Sequence, residues 1–158
     1  MGSHHLTIDY EYDWGGRKKT SLAIQKCLSR VLDIFDSHNA KGTFFISTET
    51  LVDTSSYILE IKNRGHEIAS HGHDHNISYD SLSLSQLEYQ VSKSKDLLES
   101  LIGEKVKGFR TPQFRKSKFT EEVLVKCGYL YDSSEVGVNL PGRYTQNQFA
   151  NYFKFNIT

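Results

Sequence analysis

Several shortages in the sequence each close off a class of function. There is no net charge: lysine plus arginine number 19, and aspartate plus glutamate also number 19. A chain with no surplus of either sign has no global field to draw it to nucleic acid or to an anionic membrane surface. A neutral partner such as a glycan is compatible with that balance. No run of apolar residues reaches the ~18 needed for a membrane-spanning helix. Cysteine is scarce. Cys27 and Cys127 lie far apart, each inside an apolar helical pattern, and are read as buried free thiols, which suits a reducing compartment. Repeats, low-complexity tracts and linkers are also missing. There is one tryptophan, Trp14.

What is present is ordinary in bulk and unusual in detail. The 158 residues are 37% hydrophobic and 24% charged, enough for one domain with a sizeable core. Met1-Gly2-Ser3-His4-His5 reads as an expression leader, because it has no apolar stretch of the kind a signal peptide carries. Residues 6–158 then form the domain. Short β-rich segments alternate with helical ones. Strands are expected at Leu6 to Tyr10, Gly42 to Ile46, His66 to Ser70, Val106 to Phe109 and Tyr129 to Tyr131. Helices are expected over Thr20 to Ser37, Thr50 to Arg64, a long segment opened by Ser83 or Ser85, and Thr120 to Cys127. Ile24, Cys27, Leu28, Val31, Leu32 and Phe35 make the stripe of the first helix, and Leu84, Leu87, Val91, Leu98 and Leu101 that of the third. Regular alternation implies parallel strands with helical crossovers, and functional residues then gather at the carboxyl ends of the strands.

Four polar groups fall on that rim. Asp9, Glu11 and Asp13 follow the first strand, and if the strand continues they share one face about 6.5–7 Å apart. Ser70-His71-Gly72-His73-Asp74-His75-Asn76 follows the third strand and packs three histidines together. Neutral imidazole is the commonest protein ligand for zinc. If this turn is helical, His71 and His75 are an i, i+4 pair facing one way, and His73 points elsewhere. One carboxylate could complete a two-histidine, one-carboxylate metal site while another stays free as a proton acceptor, an arrangement suited to metal-assisted hydrolysis. Arg110-Thr111-Pro112 follows the fourth strand, and Asp132-Ser133-Ser134 the fifth. Arg110 either orients a catalytic carboxylate or forms a structural ion pair. Trp14 and Phe114 are either rings for stacking on sugar or parts of the core. His71-Gly72-His73-Asp74-His75 also approaches the H-x-H-x-D-H pattern of metallo-β-lactamases but is one residue short of it.

In order along the chain, Thr7-Ile8-Asp9-Tyr10-Glu11, Gly42-Thr43-Phe44-Phe45-Ile46, Gly65-His66-Glu67-Ile68-Ala69-Ser70-His71 with His75, Gly108-Phe109-Arg110-Thr111-Pro112-Gln113-Phe114 and Gly128-Tyr129-Leu130-Tyr131-Asp132-Ser133-Ser134 resemble the polysaccharide deacetylase family with the NodB homology fold. The resemblance implies an α/β fold, a distorted (β/α) barrel that is incomplete here with about five βα units. It implies Asp9 as general base, Arg110 as the residue that positions it, and His71 and His75 as metal ligands. Many members have adjacent aspartates, but Tyr10 occupies the second position. Glu11 is therefore the expected third ligand, with Asp13 as second choice. The expected metal is zinc, with cobalt or nickel suited to the same donors. Trp14, Gln113 and Phe114 are the expected substrate-binding residues, a backbone N–H near Gln113 sharing the developing oxyanion. The family's usual C-terminal histidine acid has no counterpart after His75, so the chain is expected to be truncated or naturally shortened. The implied activity is removal of N-acetyl groups from amino sugars of a bacterial surface glycan, in the cytoplasm or at the cell envelope. The alternative is an impaired deacetylase-like module that binds metal or glycan.

Overall fold

A computed structural model of the chain describes residues 5–135 and the backbone of 155–156. Met1 to His4 of the expected leader lie outside the described residues. Five strands run parallel in chain order: β1 (Leu6–Tyr10), β2 (Gly42–Ile46), β3 (Glu67–Ser70), β4 (Gly108–Phe109) and β5 (Tyr131–Asp132). A short strand the sequence pattern did not reveal, β6 (Phe155–Asn156), pairs antiparallel with β5. The crossovers hold α1 (Leu22–Ser37), α2 (Leu51–Asn63), α3 (Leu84–Ile102) and α4 (Thr120–Lys126). The α/β architecture expected from the alternation is the one observed. Among the described residues, no helix is long and apolar enough to cross a membrane.

Alternation within the strands divides the sheet's two faces. Phe44, Ile46, Ile68 and Phe109 join Leu28 and Leu32 of α1, Ile58 and Ile61 of α2, Leu87, Val91 and Leu98 of α3, and Leu124 of α4 in one apolar core. On β2 the intervening Phe45 is equally buried, so this strand is covered on both faces, as its continuous apolar run implied. The long helix α3 opens with a reciprocal capping box, in which Ser83 accepts from Gln86 N–H and the Gln86 side chain accepts from Ser83 N–H.

Some local expectations fail, for identifiable reasons. Cys27 is exposed, because the buried arc of α1 is narrower than the apolar stripe and runs through Ile24, Leu28, Leu32 and Phe35, and Cys127, at the C-terminal end of α4, is only half-buried. Leu84 is 37% exposed at the first turn of α3, where the chain has yet to reach the sheet. The fifth strand starts later than expected, at Tyr131, because the Tyr129 ring packs into the core under α3.

Register positions the chemistry. Tyr10 pairs with Ile46, Ile46 with Ser70, Ser70 with Phe109, and Phe109 with Asp132, so the strands end in one row. The next residues extend the ladder by one step. Ser47 N–H donates to Tyr10 O (2.9 Å), His71 N–H to Ile46 O (2.8 Å), Arg110 N–H to Ser70 O (2.9 Å) and Ser133 N–H to Phe109 O (2.8 Å). His71, Arg110 and Ser133 are thus delivered to the rim by the sheet's own hydrogen bonds.

Candidate metal centre

Two imidazoles and a carboxylate converge on this rim. Glu11 Oε2 lies 2.5 Å from His75 Nε2 and 3.6 Å from His71 Nε2. The three ligand atoms lie within 4.8 Å of one another, and both histidines are buried. Burial alone would push the Glu11 carboxyl up, but the His71 and His75 imidazoles outweigh it and bring it down to about 2. Burial would likewise lower His75, but the Glu11 carboxylate wins and holds the imidazole above its ordinary value. His71 Nδ1 is 2.8 Å from Arg110 O. A carbonyl only accepts, so Nδ1 carries a ring proton, and this bond turns Nε2 towards Glu11.

The path of the chain through this site is not the expected one. Residues 71–75 form a loop instead of a helix, so the i, i+4 geometry does not arise. Gly72 is left-handed (φ 76°), and a β-carbon there would stand 2.0 Å from the Tyr79 hydroxyl. The loop is pinned from distant elements. Thr48 N–H donates to Gly72 O (3.1 Å), and Glu49 N–H to His73 O (3.0 Å). His73 N–H donates to the Tyr79 hydroxyl (3.1 Å), Asp74 N–H to Gln90 Oε1 (3.0 Å) and His75 N–H to Glu49 Oε1 (3.1 Å). His73 turns away, with its Nδ1 2.8 Å from Thr48 Oγ1, which removes the metallo-β-lactamase arrangement.

The three acidic residues do not share a face, because β1 stops at Tyr10 and the chain turns at Glu11. Asp13 is drawn off to the start of α1. Its Oδ2 accepts from Thr20 Oγ1 (2.6 Å) and Leu22 N–H (3.1 Å), and its Oδ1 from Ala23 N–H (3.0 Å). Asp13 therefore caps a helix, and Glu11 alone of the two faces the histidines.

Asp9 belongs to a second cluster beside the first. Arg110 Nη1 donates to Asp9 Oδ1 at 2.6 Å and to Thr7 Oγ1 at 3.2 Å. Nη2 donates to Ser133 Oγ (2.8 Å), and Nε to Ser133 O (3.2 Å). The guanidinium lies 4.0 Å from the Phe45 ring centre and 5.3 Å from that of Phe114. Arg110 O meets His71 as well, so this one residue ties the Asp9 cluster to the histidines. Ser133 and Thr7 were not identified as site residues from sequence. The only available signal was Ser133's place after a strand, which it shares with Arg110.

Trp14, Gln113 and Phe114 have one unusual feature in common. With Asn39 they are the only non-glycine residues at positive φ among the described residues, at 60°, 56° and 57°. Left-handed backbone is costly for side chains of this kind and tends to persist at functional sites. Trp14 is 77% exposed, so its ring is no part of the core. Gln113 reaches His75 O through Nε2 (3.3 Å). The N–H groups of Phe114 and Arg115 close their own turn, onto Thr111 O (3.1 Å) and Pro112 O (3.2 Å).

Known proteins resemble this chain in sequence and in fold. The family model described as polysaccharide deacetylase matches residues 3–131. A peptidoglycan deacetylase from Helicobacter pylori is 29% identical over 107 residues, which cover 68% of this chain and 36% of that protein. A peptidoglycan deacetylase-like protein from Gibberella zeae is 33% identical over 112 residues, covering 70% of this chain and 33% of that protein. The chain therefore spans only a minor part of the length of these relatives. Among solved structures, a CE4 family pseudoenzyme from Bacillus anthracis superposes with a TM-score of 0.66 at 19% identity, covering 79% of this chain and 41% of that one. A family 4 acetyl xylan esterase from Clostridium thermocellum, in complex with a cobalt ion, gives a TM-score of 0.61 at 25% identity, with 75% and 53% covered.

Proposed function

The chain belongs to the polysaccharide deacetylase family, and from that premise we propose that it carries the metal-binding and general-base half of a hydrolase that removes N-acetyl groups from amino sugars of a bacterial surface glycan or its precursor. One observation carries the reading: the Glu11, His71 and His75 donors cluster within 4.8 Å, beside an Asp9 carboxylate gripped by Arg110 at 2.6 Å. Two imidazole nitrogens and one carboxylate oxygen make the three-ligand set of catalytic zinc sites, and cobalt or nickel suits the same donors. Bound there, such a cation polarises an acyl carbonyl and acidifies water.

The chain's own residues do the rest. His71, turned by Arg110 O, and His75, held through its N–H by Glu49, present Nε2 to the cation. Asp9 takes a proton from the water that attacks the acetyl carbon, while Arg110 fixes Oδ1 so that the carboxylate cannot rotate away. The amide C–N bond then breaks, giving acetate and an amine that must itself gain a proton. A backbone N–H near Gln113 would share the developing oxyanion. The names of the relatives suggest a place of action at the cell envelope.

The 158 residues hold no histidine after His75 to protonate the departing amine, so turnover and binding need separate measurement. The test is acetate release from chitooligosaccharide and peptidoglycan fragments by wild type and Asp9→Asn, with and without a chelator. Release abolished by both supports the mechanism, and release that survives both refutes it. Zinc or glycan binding by calorimetry with no acetate release would decide for a binding module.

A further inference from the structure

We propose that Glu67 is a positioning residue for the reaction: through the Tyr131 hydroxyl it fixes β5, and with it Ser133, Arg110 and the Asp9 carboxylate. The role given to Asp9 rests on the deacetylase reading above. The need for such a tie lies in the uneven pairing of the sheet. Five residue pairs join β1 to β2 and four join β2 to β3, but a single pair joins β3 to β4 and two join β4 to β5. The short strand β6 adds two pairs to the outer edge of β5 and none towards β3. Each pair adds ladder hydrogen bonds that hold register. The half of the sheet that carries Arg110 and Ser133 therefore has the least main-chain pairing to hold it.

Side chains make up the deficit across β4. Strand alternation puts Thr43, Glu67, Gly108 and Tyr131 on the face opposite the core, one layer below Asp9, Arg110 and Ser133. The Tyr131 ring passes over Gly108, where a β-carbon would stand 2.1 Å from Cζ and 2.2 Å from the hydroxyl oxygen. Only the missing side chain at that position lets the phenol cross β4. Its hydroxyl then donates to Glu67 Oε1 on β3 (2.8 Å), and Thr43 Oγ1 on β2 donates to Glu67 Oε2 (2.7 Å). Burial, and then the Glu67 carboxylate, raise the Tyr131 pKa, so the phenol keeps its proton to donate. Ser133 stands two residues beyond Tyr131 on the same face. It takes two bonds from the Arg110 guanidinium, from Nη2 (2.8 Å) and from Nε (3.2 Å). A shift of β5 thus reaches Arg110 first, and Asp9 through it.

The test is read at Arg110, in proton–nitrogen correlation spectra of the whole chain, where its Nε–H cross-peak is assigned by its loss in Arg110→Lys. Tyr131→Phe keeps the ring over Gly108 and removes only the bond to Glu67. It should speed solvent exchange of the Arg110 Nε–H roughly three- to tenfold, while the main-chain N–H of Phe44, in the well-paired half, keeps its wild-type rate. Glu67→Ala should do the same. Glu67→Gln, whose amide oxygen can still accept from Tyr131, should restore most of the protection. On chitooligosaccharide, Tyr131→Phe should lower kcat by a similar factor at unchanged KM. Unchanged exchange at Arg110 in Tyr131→Phe would overturn the proposal. So would exchange that rises equally at Arg110 and Phe44, the mark of a general loss of stability. A wild type that releases no acetate would count against the deacetylase reading, and the exchange rates would then decide the tie by themselves.

Discussion

Replacing Gly72 with alanine should damage the fold and the candidate centre together. The added β-carbon would stand 2.0 Å from the Tyr79 hydroxyl oxygen and 2.7 Å from Tyr79 Cζ, so at least one group must move by more than an ångström. Tyr79 has nowhere to go, being fully buried with its hydroxyl engaged by His73 N–H. The φ of 76° adds a second cost, about 1–2 kcal/mol for a left-handed alanine, to the ~1–3 kcal/mol of an overpacked core. The expected loss is therefore about 2–5 kcal/mol, a large share of the ~5–15 kcal/mol that stabilises a domain. Urea unfolding followed by circular dichroism measures it as a midpoint about 1–2.5 M lower, for an m-value near 2 kcal/mol per molar. Zinc affinity should fall in the same variant, because Tyr79 holds the loop that carries His75. Adding Tyr79→Phe removes the nearest clashing atom and should recover part of the loss, leaving the backbone share. A variant within about 0.5 kcal/mol of wild type, or one showing no coupling to Tyr79→Phe, would refute the reasoning.

Four further outcomes are expected. Zinc at about a hundred times its Kd should stabilise the wild type by about 2.7 kcal/mol, and Glu11→Gln should abolish that gain. Asp13→Ala should melt lower, because α1 loses its caps, yet keep the full zinc effect; a lost effect would make Asp13 the ligand. Ser133→Ala should lower acetate release by about tenfold or more while leaving zinc affinity unchanged, with Ser133→Thr retaining most activity; equal rates would show that Thr7 suffices to hold Arg110. His66 is buried between the Phe35 and Phe44 rings and accepts from Gly42 N–H at Nδ1 (3.1 Å), and burial holds its imidazole below the ordinary value. In the window below ~6.5 the unfolded chain then binds the proton that the folded chain refuses, so stability is full above that pH and lost as pH falls. Unfolding midpoints at pH 7.5 and 5 should diverge more for wild type than for His66→Asn, and equal losses would refute the assignment.

The parts of the molecule legible in the sequence are those governed by local periodicity. Phe44 and Ile46 alternate with Phe45, and Leu28, Leu32 and Phe35 repeat at helical spacing, so β2 and α1 could be read directly. The residue types of the centre were legible too: His71 and His75 stood out by residue type and by position after a strand, and the family resemblance chose Glu11 among three nearby carboxylates. Their geometry was not. The helical spacing of His71 and His75 suggested a turn of helix, but the loop is held by Thr48, Glu49, Tyr79 and Gln90, all from other segments. No local pattern reports such partners. Asp13 misled for a related reason: a carboxylate near a helix start and a carboxylate near a metal look alike until the loop between them is folded. Ser133 was placed on the rim without a role because a serine has no signature until Arg110 is seen against it.

The row of main-chain bonds at the rim separates two kinds of inheritance. His71, Arg110 and Ser133 are placed by their own N–H groups, which every amino acid except proline supplies, so their location belongs to the sheet and only their reactivity belongs to the side chain. A single codon change at any of the three alters the chemistry and leaves the address intact.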